Sequence, residues 1–259
     1  MYPNIVVLGM TFYEIFVLIG LVALMIAFRY FADKKGFSAK FQNFILALIV
    51  VTVIFGYFSA VLFQAFYDYL ASGEFKVDSS TGATFYGGFI GGVTVCASLY
   101  FIVGKFLFKD REHIRAFPYI LDCGGFCVPL AHAFGRLGCL FVGCCHGGYT
   151  EAWYGIYHAS SGLKVVPLQL YESIVLFIIF AVLFVRALKM GRYSHAMSAY
   201  LTSYAVWRFF AEFFRTDDRG ASPISFLSPS QLTAVFLLAV AIVLYIITEK
   251  LYVKKVQDK

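Results

Sequence analysis

Apolar positions run along this chain in blocks of roughly 20 residues, the length a helix needs to cross a bilayer, with polar and charged residues gathered between the blocks. The alternating pattern of a membrane barrel is absent. The blocks predict seven helices, near 11–31, 42–68, 85–108, 117–141, 169–188, 196–214 and 230–249. The second block is longer than one crossing needs, so its helix is expected to tilt or to emerge from the bilayer. The expected fold is all-α and polytopic, with residues 1–259 forming a single integral-membrane domain. No internal repeat, low-complexity segment or soluble domain interrupts it.

Composition excludes a soluble globular protein. Apolar residues make up 61% and charged residues 14%, where a typical soluble domain carries about 25% charged, and the mean hydropathy is +0.78. The 30 phenylalanines and 18 tyrosines suit lipid packing and aromatic belts at the interfaces. The segment MYPNIVVLGMTFYE lacks a basic stretch ahead of the apolar run, so no cleaved signal peptide is expected and the first helix is read as its own insertion signal.

Charge sets an orientation. One set of connections carries Arg29, Lys34, Lys35 and Lys40, then Lys105, Lys109, Arg111 and Arg115, then Arg186, Lys189 and Arg192, then Lys250, Lys254, Lys255 and Lys259. The other side holds only Lys76, Arg136, Lys164, Arg208, Arg215 and Arg219. The asymmetry places the N-terminus outside and the C-terminus in the cytoplasm, which requires an odd number of crossings. Most of the +6 net charge is then anchoring charge beside anionic lipid, and no nucleic-acid partner is expected.

The chemistry lies in the minority set. Residues 132–147, HAFGRLGCLFVGCCHG, place Arg136 at the end of an apolar run. An arginine there is costly unless a partner or an anion neutralises it. In YAVWRFFAEFFRTDDRG, residues 204–220, helical spacing puts Tyr204, Arg208 and Glu212 on one face, with Arg215 close by. Arg208 and Glu212 can neutralise each other; alternatively the stripe faces a ligand. Glu212 can balance only one positive charge, and Asp217 or Asp218 can compete for Arg215. The arginines left over suit a phosphate, which a guanidinium binds bidentately while staying charged when desolvated.

Other polar groups fall at the same depth. Tyr13 and Glu14 open the first helix, and Tyr86 opens the third within TGATFYGGFIGG, whose glycines either pack helices or admit a ligand. The segment VVPLQLYES starts the fifth helix and supplies Gln169, Tyr171 and Glu172 as an interfacial cap or a cavity lining. Ser228 and Gln231 in SPSQL read as a capping box on the seventh.

Six cysteines are present, not in the pattern of a secreted disulfide framework. Cys139, Cys144, Cys145 and His146 read C-x4-C-C-H, without the C-x2-C pairs of structural zinc sites. Neighbouring cysteines do not ligate one ion comfortably, so no metal and no cofactor is expected. Packing, lining of a lipid site and a redox role stay open.

In this order, TFYEIFVLIG, TFYGGFIGG, GRLGCLFVGCCHG, PLQLYES, YAVWRFFAEFFR and SPSQL resemble the bacterial prolipoprotein diacylglyceryl transferases over most of the chain. The resemblance implies an enzyme of the bacterial inner membrane acting at its outer face, with phosphatidylglycerol and a lipobox-containing prolipoprotein as substrates. Such an enzyme moves diacylglyceryl to the lipobox cysteine thiol and releases glycerol phosphate. It assigns lipid phosphate to Arg136 and Arg208, and matches Glu212, Tyr13 and Gly147 to the family's sixth-helix carboxylate, first-helix tyrosine and last signature glycine. Tyr86 and His146 become supporting hydrogen-bond or acid–base groups, and Gln169, Tyr171, Glu172, Tyr204 and Arg215 line the substrate site. The chain departs from the family pattern at Tyr86, where histidine is usual, at Cys139 for asparagine, at Cys144 for glutamate and at Tyr57 for an arginine. A paralogue modifying another acceptor, or a lipid-binding or transport protein on the same scaffold, is the alternative.

Overall fold

In the computed structural model of the chain, residues 6–7, 9–78, 81–159, 161–190, 194–215 and 226–257 are described, without the side chains of Ala71, Phe85, Tyr86 and 251–257. The apolar blocks fold as helices α1 (Phe12–Lys34), α2 (Ala39–Ser72), α3 (Phe85–Leu107), α4 (Glu112–Val142), α5 (Leu168–Lys189), α6 (Ala196–Ala211) and α7 (Pro229–Gln257). Two short hairpins accompany them. β1 (Val6–Val7) pairs antiparallel with β2 (Met10–Thr11), and β3 (Ile156–Tyr157) with β4 (Lys164–Val165). Six of the helices are long and apolar enough to cross a membrane. The exception, α6, has 16 residues, about 24 Å of helix, and continues into a 3-10 turn at Glu212–Phe214. The expected sixth helix thus ends earlier than 214.

Local signals account for several boundaries. Thr11 and Glu14 form a capping box at α1, the Thr11 N–H donating to Glu14 Oε2 at 2.7 Å. Ser38 caps α2 by accepting from the Phe41 N–H at 3.1 Å, and Gly73 ends it in the left-handed region. Ser228 caps α7, accepting from the Gln231 N–H while Gln231 Oε1 accepts from the Ser228 N–H, the pattern its sequence predicts.

The chain divides into two compact units, 35–117 and 1–34 with 118–259. In the first, α3 lies against α2 through small residues. A Cβ added at Gly91 would sit 2.2 Å from Ser59 Oγ, so that contact admits only glycine, and Ser59 Oγ donates to the Gly87 carbonyl at 2.8 Å. Helix packing is therefore what this glycine stretch does. A surface pocket lined by Lys40, Phe106 to Asp110 and Glu112 belongs to the same unit and contains none of the predicted site residues.

In the second unit, Phe31, Phe126 and Phe184 interlock edge to face, with centroids 5.1 and 5.2 Å apart. Ser173 Oγ donates to the Ala133 carbonyl at 3.0 Å and ties α5 to α4. The buried Asp122 carboxylate on α4 accepts the N–H groups of Ser194 and Ala196 at 2.6 and 2.8 Å and so caps α6 from a neighbouring helix. Along α5, Ile174, Ile178, Val182 and Val185 are exposed while Gln169, Glu172 and Ser173 are buried. Apolar outside and polar inside is the arrangement of a helix surrounded by lipid.

Candidate active site

Four helix ends of the second unit meet. The C-terminal part of α4 brings Arg136, the first turns of α5 bring Gln169 and Glu172, the end of α6 brings Tyr204 and Arg208 with Glu212 just beyond, and the start of α7 brings Ser230. Arg136 Nη2 lies 3.0 Å from Glu172 Oε1, and the same oxygen accepts the Tyr204 hydroxyl at 2.8 Å. Arg208 Nη2 lies 3.1 Å from Glu212 Oε2 and donates to Ser230 Oγ at 2.8 Å. Glu212 Oε1 in turn accepts the Ser228 hydroxyl at 3.0 Å. Two arginine–glutamate pairs thus stand side by side, one between α4 and α5 and one between α6 and the 3-10 turn that follows it.

The sequence anticipates the Arg208–Glu212 pair, but not that Arg136 has a protein counter-ion. Glu172, expected as a cap or lining residue, is 3% exposed and holds both Arg136 and Tyr204. Arg136 keeps an anion-seeking edge all the same, because its buried Nε has no hydrogen-bond partner among the described residues. Among the described residues, Arg136 and Arg208 are matched one for one by Glu172 and Glu212. Arg215 Nη1 also donates to the Cys145 carbonyl at 3.3 Å. Asp217, Asp218 and Arg219 lie outside the described residues.

His132 is a residue the sequence reading missed. Its Nε2 lies 3.8 Å from Glu172 Oε1, and its ring meets that of Tyr204 at 5.1 Å. Its position four residues before Arg136, one turn along the same face, is the signal that could have found it.

The remaining predicted residues divide. Tyr13, 44% exposed, packs against Gly138 and lies within electrostatic reach of Arg136 and Cys139. Gln169 is fully buried and donates from Nε2 to the Cys144 carbonyl at 2.5 Å. Gly147 binds the Val166 carbonyl through its N–H at 2.8 Å. A Cβ there would lie 2.9 Å from the Phe214 carbonyl oxygen, so this glycine lets three backbone segments meet. Tyr171 is half-buried, and no polar contact joins it to the arginines among the described residues. The His146 ring meets that of His158 at 4.6 Å, tilted by 57°, and its Nδ1 lies 2.7 Å from the Gly147 carbonyl, so it belongs to the loop after α4. Tyr86 opens α3 in the other unit, and its side chain lies outside the described residues. Tyr57 is exposed.

Beside the arginines the chain folds back over the end of α4. The Gly143 and Cys144 N–H groups both donate to the Cys139 carbonyl, and Gly143 and Cys145 adopt positive φ of 89° and 62°. This turn brings the sulfurs of Cys139, Cys144 and Cys145 within 4.8 Å of one another, removing the spacing objection to a shared ligand. Hydrogen bonds from the Cys139 and Cys144 thiols hold the Cys145 thiol well below the ordinary thiol range, and the Arg136 and Arg215 guanidinia add to that effect.

The family model described as prolipoprotein diacylglyceryl transferase matches residues 3–247. The chain is 32% identical over 176 residues to phosphatidylglycerol–prolipoprotein diacylglyceryl transferase 2 of Clostridium perfringens, covering 65% of this chain and 63% of that protein. It is 28% identical over 241 residues to the corresponding Clostridium tetani transferase, covering 90% and 91%. Against the transferase of Campylobacter lari it is 30% identical over 253 residues, covering 89% and 87%.

Proposed function

The chain belongs to the prolipoprotein diacylglyceryl transferase family, and we propose that it moves diacylglyceryl from phosphatidylglycerol to the lipobox cysteine thiol of a prolipoprotein, releasing glycerol phosphate. The observation that carries this reading is the pair of arginines, Arg136 and Arg208, each oriented by a glutamate, with the Arg136 Nε still without a hydrogen-bond partner among the described residues. In the transfer the acceptor sulfur attacks the glyceryl carbon. The carbon–oxygen bond to phosphate breaks, and its electron pair leaves with the phosphate. Arg136 and Arg208, held before the substrate arrives, stabilise the growing charge on that leaving group. Glu172 and Glu212 keep the two guanidinia in place, and their own engagement makes them orienting groups. The same positive field favours the acceptor thiolate over the thiol. Tyr13 borders the site from α1, and Gln169, Gly147 and Arg215 fix the loop that closes it. Tyr171 and His146 take supporting positions around the substrates.

The placement in the membrane follows from charge. Within the second unit, Arg29, Lys34, Arg186, Lys189 and Lys250 lie at the helix ends opposite the arginine site. The positive-inside rule assigns that basic end to the cytoplasm and the site to the outer face of the bacterial inner membrane, where a secreted prolipoprotein presents its lipobox. This reading makes α6 the seventh crossing, with the N-terminus outside and the C-terminus in the cytoplasm.

Complementation tests it. In a strain depleted of its own transferase, the wild-type chain is expected to restore growth and Arg208→Ala or Glu212→Gln to fail at equal expression. Failure of the well-expressed wild type to rescue would overturn the reading.

A further inference from the structure

We propose that Cys139, Cys144 and Cys145 hold one thiophilic divalent cation of the zinc class, with its fourth coordination position open to the acceptor thiol. The primary observation is convergence: three sulfurs, not two, lie mutually within 4.8 Å. Around a tetrahedral ion with metal–sulfur bonds near 2.3 Å, thiolates sit about 3.8 Å apart, so the cluster needs to contract by only about 1 Å. A disulfide would use two of the sulfurs and leave the third without a role. The thiols are unbridged, and Cys144 is exposed, which gives an ion access.

The surroundings are those of a metal site as well as of a lipid site. The backbone carrying the ligands is fixed from outside, by Gln169 on the Cys144 carbonyl and Arg215 on the Cys145 carbonyl, as outer contacts fix the ligands of metal centres. Cys145 is held at positive φ, a conformation that an ordinary loop residue rarely adopts and that here turns its sulfur toward the other two. Three thiolates around a divalent ion carry one net negative charge. Arg136, one helical turn before Cys139 on α4, and Arg215 lie within electrostatic reach of that charge.

The ion answers a need the arginine site leaves unmet. Each carboxylate there already serves an arginine, Glu172 through Oε1 to Arg136 and Tyr204 and Glu212 to Arg208 and Ser228, so a proton taken up there would weaken the pair that orients that arginine. Three protein ligands with an open fourth position are the arrangement of catalytic zinc, and a thiol that coordinates such an ion is deprotonated outright. The acceptor thiol would bind as thiolate, its proton passing to water. Its sulfur would then form the carbon–sulfur bond while the carbon–oxygen bond breaks and the electron pair leaves with glycerol phosphate. No oxidant or reductant enters. This role rests on the transferase reading above.

The test uses the full-length protein in detergent, purified anaerobically with reductant, and cobalt(II) as the probe, without lipid. One cobalt per chain is expected, with thiolate-to-cobalt charge-transfer absorption and the intense visible bands of tetrahedral geometry, and zinc should displace it. Each of Cys139→Ser, Cys144→Ser and Cys145→Ser is expected to weaken binding at least ten-fold in competition with a chromophoric chelator. A lipobox peptide should shift the visible bands toward the four-thiolate spectrum, and the same peptide with serine in place of cysteine should not. Wild-type protein that binds no stoichiometric cobalt or zinc, that contains a disulfide within the cluster, or that loses nothing in the serine variants would overturn the site. Because loading is measured without lipid, it stands or falls separately from transfer. Transfer at an undiminished rate by zinc-free protein would overturn the metal's part in the reaction and leave the transferase reading intact.

Discussion

Glu172 Oε1 lies 3.0 Å from Arg136 Nη2, and the glutamate is almost fully buried on α5 while the arginine lies in the last two turns of α4. The pair links two helices at the depth where a guanidinium without a counter-ion would be costly. Replacing Glu172 with glutamine keeps the shape and removes the charge. Charge-assisted hydrogen bonds contribute about 1.5–3 kcal/mol, so Glu172→Gln is expected to lower kcat/KM for transfer about 10–100-fold. Tyr204→Phe, which removes one donor to the same oxygen, should cost about ten-fold or less. Steady-state transfer rates with the two variants in parallel check the order.

Arg208 divides one nitrogen between Glu212 and Ser230. Lysine carries the charge but lacks the planar fork with which a guanidinium can bind a phosphate bidentately. Arg208→Lys is expected to lose roughly 10–100-fold in kcat/KM, with thermal stability changed far less than by Arg208→Ala, which strands Glu212. Kinetics and a melting curve on the same samples separate the two effects.

The helices of this protein were legible in its sequence because lipid imposes long apolar runs, and the capping box at Ser228 was legible because it is local. The Arg208–Glu212 pair was legible for the same reason, its members lying only four residues apart. Glu172 as the partner of Arg136 was not, since that contact depends on how α4 and α5 pack. His132 was hidden among apolar neighbours. The convergence of the cysteine sulfurs was not legible from spacing, because adjacent residues converge with Cys139 only through the two positive-φ residues, Gly143 and Cys145. The end of α6 at Ala211 was set by the 3-10 turn that carries Glu212 toward Ser228, a tertiary contact no periodicity encodes.

Gly147 has no room for a side chain. A methyl group there would lie 2.9 Å from the Phe214 carbonyl oxygen and 3.0 Å from Val166 Cβ. Gly147→Ala is expected to cost about 1–3 kcal/mol, read as a lowered melting temperature in detergent, with transfer reduced because the loop bearing Cys144 and Cys145 shifts.

Asp122 stabilises the far end of the same unit. Its carboxylate satisfies two buried N–H groups at the start of α6, and Asp122→Ala leaves both unpaired, at about 1–3 kcal/mol each. The variant should melt several degrees lower than the wild type and retain its kcat at temperatures where it remains folded. A fall in kcat with unchanged melting would contradict the assignment of a purely structural role.

The most direct test of the account is chemical. Purified protein is incubated with phosphatidylglycerol and a lipobox peptide, and the peptide is analysed by mass spectrometry. The account predicts a diacylglyceryl adduct in thioether linkage on the peptide's cysteine, with glycerol phosphate released in equal amount, and no adduct with Arg136→Ala. Folded wild-type protein that binds phosphatidylglycerol yet leaves the cysteine unmodified would contradict it.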